Sequence, residues 1–339
     1  MKRHFGLQWH LSNECDQRCK HCYIWQKHEL ENLRTTPSVS QCRRIVDDFL
    51  SFCEEMDVHP YFSITGGDPL LYEHFWELTE ILFKKKIAFT ILGNPYCLNE
   101  KNAQMLSKLG CKSYQMSIDG LEKTHDYLRK DGSFKATLSA LPILHKSGIR
   151  SMIMSTVSLL NYTEIPSVAR LCVDNEVGNF AFSRYCPTHG DTEHNMPPLL
   201  YREFLAEMWK VYEELVEAGT NFSLKDHLWI PFLYEKGLYT LSETTDLILD
   251  GCNCGIKHMT LLPNGTVYAC RRFDSIVGKI DRQSFKEIFF SKDMRKYREI
   301  WRLAGCNNCE LLNYCRGCHA VSAGTTGSFF DKDPQCWRC

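Results

Sequence analysis

Three cysteines fall within eight residues, Cys15-Asp16-Gln17-Arg18-Cys19-Lys20-His21-Cys22. Thiolates are ligands of zinc and of iron–sulfur clusters. Four of them close a tetrahedral zinc site or ligate every iron of a four-iron cluster. Three leave one position open. A loop spaced Cys-x3-Cys-x2-Cys can wrap one cubane and keep one iron for chemistry, as a catalytic zinc keeps its fourth position. The spacing departs from the ferredoxin patterns Cys-x2-Cys-x2-Cys and Cys-x4-Cys-x2-Cys. The blander alternative for the same residues is a structural zinc knuckle or a set of core thiols.

A second group lies at the other end. Nine of the eighteen cysteines fall from residue 251 onward: Cys252, Cys254, Cys270, Cys306, Cys309, Cys315, Cys318, Cys336 and Cys339. Taken alone, Cys306, Cys309, Cys315 and Cys318 would make a zinc ribbon. Eighteen cysteines in 339 residues are too few for a small disulfide scaffold. In a reducing compartment they point to metal.

The remaining composition is that of a folded globular chain, 44% hydrophobic and 24% charged. Its length allows one large domain and a smaller one. A net charge of −1 gives no global attraction to nucleic acid or to an anionic membrane. The basic run Lys84-Lys85-Lys86 ends a helical pattern, where cations suit the dipole. No stretch has the apolar length of a membrane span, and the N-terminus lacks a signal-peptide core. The expected compartment is the cytoplasm.

These residues must be positioned by alternating strands and helices. Strands are expected at 6–12, 61–65, 88–92, 113–118, 150–157 and 179–184. Helices are expected at 37–56, 71–85, up to Gly110, 135–146 and 163–175. Cys42 and Cys53 lie on the apolar face of the first helix and read as core residues. Repeated strand–helix units imply a parallel sheet with right-handed crossovers. A curved partial barrel and a flat doubly wound sheet both fit that pattern. In a barrel, reactive groups gather at the C-terminal ends of the strands. The three-cysteine loop, Gly66-Gly67-Asp68 and Asn94 all follow such ends. Beyond a loop at 186–198, helices are expected at about 199–218 and 284–303. Pro263-Asn264-Gly265 marks a hairpin between 259–262 and 266–269.

The first cysteine loop resembles the signature of radical S-adenosylmethionine (SAM) enzymes, with His21 at its usually aromatic position. The resemblance implies that SAM chelates the open iron of a 4Fe-4S cluster on Cys15, Cys19 and Cys22, and is cleaved reductively to a 5′-deoxyadenosyl radical. It favours a partial (β/α)6, TIM-like barrel. Gly66, Gly67 and Asp68 resemble the family's Gly-Gly-Glu motif for the SAM amino group, with a carboxylate one methylene shorter. Ser117 resembles the serine at the SAM ribose, and Arg129 the arginine at its carboxylate. Asn94 is a further candidate to face SAM. Cys186, just past the sixth strand, is a candidate hydrogen donor or base; packing is the plainer role for it.

The tail resembles the SPASM domain, a Cys-rich auxiliary-cluster module. Its Gly265-x4-Cys270 hairpin and Cys306-x2-Cys309-x5-Cys315 run match that pattern. The resemblance implies two auxiliary 4Fe-4S clusters, one on Cys252, Cys254, Cys270 and Cys318, the other on Cys306, Cys309, Cys315 and Cys336. Cys315 and Cys318 stand one residue closer than usual, Cys252 and Cys254 only one residue apart, and Cys339 is a spare thiol. The expected organisation is a barrel over 1–190, a helical and aromatic bridge over 191–250, and the SPASM domain over 251–339.

SPASM proteins mostly modify ribosomal peptides. The expected substrate is a Cys-containing ribosomal precursor peptide, joined through a thioether or other crosslink. Epimerisation and haem or cofactor biosynthesis are the alternatives, and a zinc-bearing binding module is the non-enzymatic one. Arg271 and Arg272 follow Cys270 where sulfatase-maturating enzymes carry an aspartate base, which argues against that activity. A flavodoxin or ferredoxin-type electron donor is expected. The first strand begins by residue 6, so leader recognition is expected from a separate protein or through the peptide core.

Overall fold

The computed structural model describes residues 3–26, 35–188, 190–242 and 247–338. Its barrel-type segment runs β1 (His4–His10), α1 (Tyr23–Gln26), α2 (Val39–Glu55), β2 (His59–Thr65), α3 (Phe75–Lys84) and β3 (Phe89–Leu92). It continues with α4 (Glu100–Lys108), β4 (Cys111–Ser117), α5 (Glu122–Leu128), α6 (Ser133–Lys146), β5 (Arg150–Val157), α7 (Ile165–Asp174) and β6 (Asn179–Arg184). Then follow α8 (Pro198–Leu215), β7 (Asn221–Ser223), α9 (Trp229–Glu235), β8 (His258–Leu261), β9 (Thr266–Tyr268) and β10 (Ile276–Lys279). The last helices are α10 (Phe285–Phe290), α11 (Lys292–Arg295) and α12 (His319–Thr326).

The strand order is β10-β9-β8-β1-β2-β3-β4-β5-β6-β7. β1 pairs in parallel with β2, from His4 opposite His59 to His10 opposite Thr65. The parallel α/β reading of the sequence therefore holds. β8 and β9 form the antiparallel hairpin at Asn264-Gly265, and β10 extends it. The chain divides into two compact units. The first comprises 1–117, 126–152 and 254–298; the second comprises 118–125, 153–253 and 299–339.

Alternation along β1 sets the core of the first unit. Phe5, Leu7 and Trp9 are buried, while His4 and Gly6 are not. Ser38 caps α2 by accepting from the Gln41 N–H, and the Gln41 side chain accepts from the Ser38 N–H, so Pro37 lies outside the helix. The buried face of α2 carries Cys42, Ile45, Val46, Phe49, Phe52 and Cys53. Phe49 stands edge-on to Phe62 and Phe285 at 5.1 and 5.2 Å, and Phe5 stands edge-on to Phe52 and Phe289 at 4.9 and 5.4 Å. The second unit has its own aromatic core, in which Tyr212 stacks on Phe222 at 4.5 Å and Phe182 meets Phe204 and Trp229.

One expected helix is broken. Between residues 284 and 303 the chain forms α10, α11 and two short 3-10 turns. Ser291 causes the first break: it ends α10 in an extended conformation and caps α11 by accepting the Met294 N–H. The segment 222–239 contains β7 and α9, and α12 forms inside the terminal cysteine array.

Phe49 is fully buried and touches four other rings. The variant Phe49→Ala should lose about 3–5 kcal/mol of stability, measured as a lowered denaturation midpoint; a shift within error would mean this cluster does not hold the first unit together.

Candidate functional site

The backbone after β1 and the backbone after β2 run side by side beyond the last strand pair. Leu11 N donates to Thr65 O, Gly67 N to Ser12 O at 2.8 Å, and Asp68 N to Glu14 O at 2.7 Å. No side chain fits at this crossing. A Cβ on Gly67 would lie 2.0 Å from Glu14 O; one on Gly66, where φ is +150°, would lie 2.3 Å from Ser12 O. The three-cysteine loop begins at the next residue.

That loop is held from three sides. Lys20 N donates to Leu128 O at 2.8 Å, and the Lys130 ammonium to Asp16 O at 3.1 Å. Asn94, after β3, directs its amide to Asp16 Oδ1 at 2.5 Å and to Cys15 Sγ at 3.7 Å. The Arg129 guanidinium lies 3.7 Å from Cys19 Sγ, and Gln17 N donates to Cys15 Sγ at 3.4 Å. His21 and Cys22 are half-buried in the same loop, and Ser117 is the half-buried last residue of β4. Cys15, Cys19, Asn94, Arg129 and the Gly66-Gly67-Asp68 corner thus form one connected group in the first unit. Asp16, buried Gln17 and Lys130 belong to the same group; sequence reading passed over them because hydrogen-bonding partners far apart in sequence leave no local pattern.

Asp68 braces the corner. Its Oδ1 accepts the Leu70 N–H at 2.8 Å, and Oδ2 accepts the Asn94 N–H at 2.9 Å. Burial pushes its carboxyl up to about 6 despite those two donors. Burial likewise pushes the Cys15 thiol up to about 12, partly offset by the Gln17 N–H. Iron binds thiolate, so a bound cation must supply the stabilisation that this buried site withholds from the free thiolate.

The tail cysteines are divided between the units. In the first, Cys254 and Cys270 both bear on Tyr297, whose hydroxyl is pushed up chiefly by burial. Tyr23 is pushed up to about 12, first by burial, against the Arg271 guanidinium, with Cys22 and then Cys270 adding to the rise. The Arg271 guanidinium stands 5.3 Å from the Tyr23 ring centre. In the second unit, burial is the main cause that raises the Cys315 thiol; Cys336, Asp333 and Cys306 add to it. Cys252 and Cys318 are buried there, and Cys309 is half-buried with its N–H on Cys306 O. Cys186 is half-buried, its Sγ 3.8 Å from Arg184 O. Cys339 lies outside the described residues.

No disulfide joins two of the described cysteines. Among the described residues, no three His, Cys, Asp or Glu side chains are gathered as the ligand set of a single metal ion. The fit to a cluster rests on the donors: three thiols on one loop, beside an amide, a guanidinium and a glycine-only backbone crossing. No helix of the described residues is long and apolar enough to cross a membrane.

Comparison with known proteins agrees with this chemistry. Residues 9–172 match the Radical SAM superfamily, and residues 252–319 match SPASM, an iron–sulfur cluster-binding domain. The chain is 25% identical to the AdoMet-dependent heme synthase of Methanosarcina barkeri, over 97% of this chain and 95% of that protein. It is 26% identical to the mycofactocin maturase MftC of Mycobacterium ulcerans, over 97% of this chain and 87% of that one. The fold is that of Streptococcus suis SuiB bound to S-adenosylmethionine, with a TM-score of 0.76 at 19% identity, covering 100% of this chain and 77% of that one. The chain therefore carries a Radical SAM domain over residues 9–172 and a C-terminal SPASM domain over 252–319, the domain pair of an enzyme of the radical SAM type that works with SAM and iron–sulfur clusters.

Proposed function

We propose that this enzyme modifies a Cys-containing ribosomal precursor peptide, joining a cysteine sulfur to carbon as a thioether or forming another crosslink. The observation that carries the reading is the Arg271 guanidinium, 5.3 Å from the Tyr23 ring centre within one compact unit. The residue after Cys270 of the tail hairpin thus faces the residue after Cys22 of the SAM loop. Crosslinking is an oxidation, and it needs an electron acceptor near the site of hydrogen abstraction. The mycofactocin maturase relative supports a peptide substrate. A second reading, on a porphyrin, has specific support in the full-length likeness to a heme synthase.

Cys15, Cys19 and Cys22 would hold the SAM-binding cluster, with Gly66, Gly67, Asp68, Asn94, Ser117 and Arg129 around SAM. Cys252, Cys254, Cys270 and Cys318 would hold one auxiliary cluster, and Cys306, Cys309, Cys315 and Cys336 the other. When bound, these groups supply hydrogen-atom abstraction and an electron sink. The protein's own residues fix the geometry. The Gly66-Gly67 backbone lets a ligand approach closely, Arg129 offers a planar fork to a carboxylate, and Asn94 orients the loop. The partners proposed are the precursor peptide, a flavodoxin or ferredoxin-type donor and a separate leader-recognition protein.

Anaerobic reconstitution should give about twelve iron and twelve sulfide per chain, four for each of three clusters. About four iron with bound zinc would overturn the auxiliary assignment. Replacing Cys15, Cys19 and Cys22 together by Ala should abolish reductive SAM cleavage and leave the tail clusters in place. Gly67→Ala should weaken SAM binding in equilibrium dialysis by at least about 10-fold, since its Cβ would displace the loop backbone. An unchanged affinity would mean that the crossing does not shape the SAM site.

The substrate itself is tested by mass spectrometry of a candidate precursor peptide incubated with enzyme, SAM and reductant. Each crosslink should remove two hydrogens, about 2 Da. A product of unchanged mass in H2O that takes up one deuterium when the reaction is run in D2O would replace crosslinking by epimerisation. Conversion of a porphyrin and of no peptide would establish the second reading instead.

A further inference from the structure

We propose that the buried Arg184–Asp333 ion pair is a positioning element for the auxiliary clusters, fixing the 315–318 loop and the Cys336 turn through a single carboxylate. This rests on Cys315, Cys318 and Cys336 being auxiliary ligands, as read above.

Arg184 is the last residue of β6, and it is 2% exposed. Its Nη1 and Nη2 donate to Asp333 Oδ1 and Oδ2 at 2.8 and 2.7 Å, the two parallel bonds that a planar fork makes with a carboxylate. Its Nε donates to Asp226 Oδ2 at 3.0 Å, and Nη1 also reaches Gln335 Oε1 at 3.2 Å. Asp333 is equally buried. Each of its oxygens accepts one guanidinium N–H and one backbone N–H: Oδ1 from Gln335 at 3.0 Å, Oδ2 from Cys318 at 2.8 Å. The Asp333 carbonyl accepts the Cys336 N–H at 3.0 Å.

The residue between the thiols is fitted to the same carboxylate. Gly317 has φ +59°, and a Cβ on it would lie 2.4 Å from Asp333 Cβ. With that loop conformation the Gly317 N–H lies 3.5 Å from Cys315 Sγ, where it donates to the sulfur. Asp333 therefore sets the Cys318 backbone and abuts the glycine whose N–H meets Cys315 with its side chain, and closes the turn at Cys336 with its carbonyl. Burying a guanidinium and two carboxylates is costly, and removing one partner leaves a charge without its counterion. Such an investment in a cysteine-bearing segment matches what outer ligands do at metal sites, where they orient the groups that bind.

The test uses the full chain, reconstituted anaerobically. In Asp333→Asn one oxygen becomes an amide donor, so the guanidinium loses one of its two bonds to residue 333 and either the Cys318 or the Gln335 N–H loses its acceptor, while Arg184 keeps Asp226. Auxiliary-cluster affinity should fall about 10- to 100-fold, read as iron per chain and as loss or change of the auxiliary EPR signals. The SAM-dependent EPR change of the Cys15–Cys22 cluster should persist. Arg202→Ala, which removes an exposed pair with Glu235, should alter neither signal. Gly317→Ala displaces Asp333 without changing charge and should reproduce the auxiliary defect.

Wild-type iron and auxiliary EPR signals in both Asp333→Asn and Gly317→Ala would overturn the proposal, and if only one variant folds, its signals decide. If neither folds, the pair serves folding and the proposal also falls. Wild-type protein with about four iron and bound zinc would instead overturn the ligand reading on which it stands.

Discussion

The first unit depends on a backbone-to-backbone crossing. Beyond the last residues of β1 and β2, the parallel pairing continues through Gly67 N to Ser12 O and Asp68 N to Glu14 O. Any side chain at residue 67 would occupy the place of the Glu14 carbonyl. With that contact fixed, Cys15 leaves the sheet at a defined height, and Asp68 extends the order by accepting the Asn94 N–H from the end of β3. Asn94 then returns to Asp16 and Cys15. Three successive strand ends are thus tied to one loop, the first two through backbone groups and the third through the side chains of Asp68 and Asn94.

Electrostatics in this unit oppose free thiolate and favour a cation. Burial raises Cys15, and the carboxylates of Asp68 and Asp16 add to the rise. A metal cluster reverses that balance by supplying positive charge to the thiolates, so its assembly must release protons and gain strength with pH. The Asp68 carboxyl carries the same logic on a smaller scale. Its two backbone donors favour the charged form, and burial outweighs them. The bracing carboxylate is therefore itself sensitive to what lies beside it, and a cationic ligand there would draw it back toward the ordinary carboxylate range.

The legible part of the sequence was local. The Cys-x3-Cys-x2-Cys loop, the amphipathic face of α2 and the Asn264-Gly265 hairpin each announce themselves within about a dozen residues, and each is present as expected, while the strand expected at 6–12 lies two residues earlier, at His4–His10. The break at Ser291 was hidden because apolar periodicity continues through 288, 289 and 294, while one serine hydroxyl restarts the helix. Short β7 and β10 carry too few residues to show a period. The Arg184–Asp226–Asp333 cluster joins residues 42 and 149 positions apart, which no window of sequence can reveal. Asp16 and Gln17 were visible only as spacers between cysteines, although one of them bonds Asn94 and the other donates its N–H to Cys15.

The second unit holds its thiols by a different device, and the reason is its scarcity of regular structure. Between Leu303 and Cys318 the chain is mostly turns, with α12 beginning only at His319. Few backbone groups there are fixed by a ladder or a helix, so cysteine positions cannot be inherited from strand register as Cys15 inherits its own. Side-chain anchors must take that part. Arg316 donates to the carbonyls of Asp250 and Cys252 at 2.7 and 3.0 Å, and Asp333 receives Cys318. Both anchors use charged groups whose hydrogen bonds are directional and whose burial penalises any other arrangement. The chain thus positions one set of thiols by a steric exclusion that only glycine satisfies, and another by buried charges that only their partners satisfy.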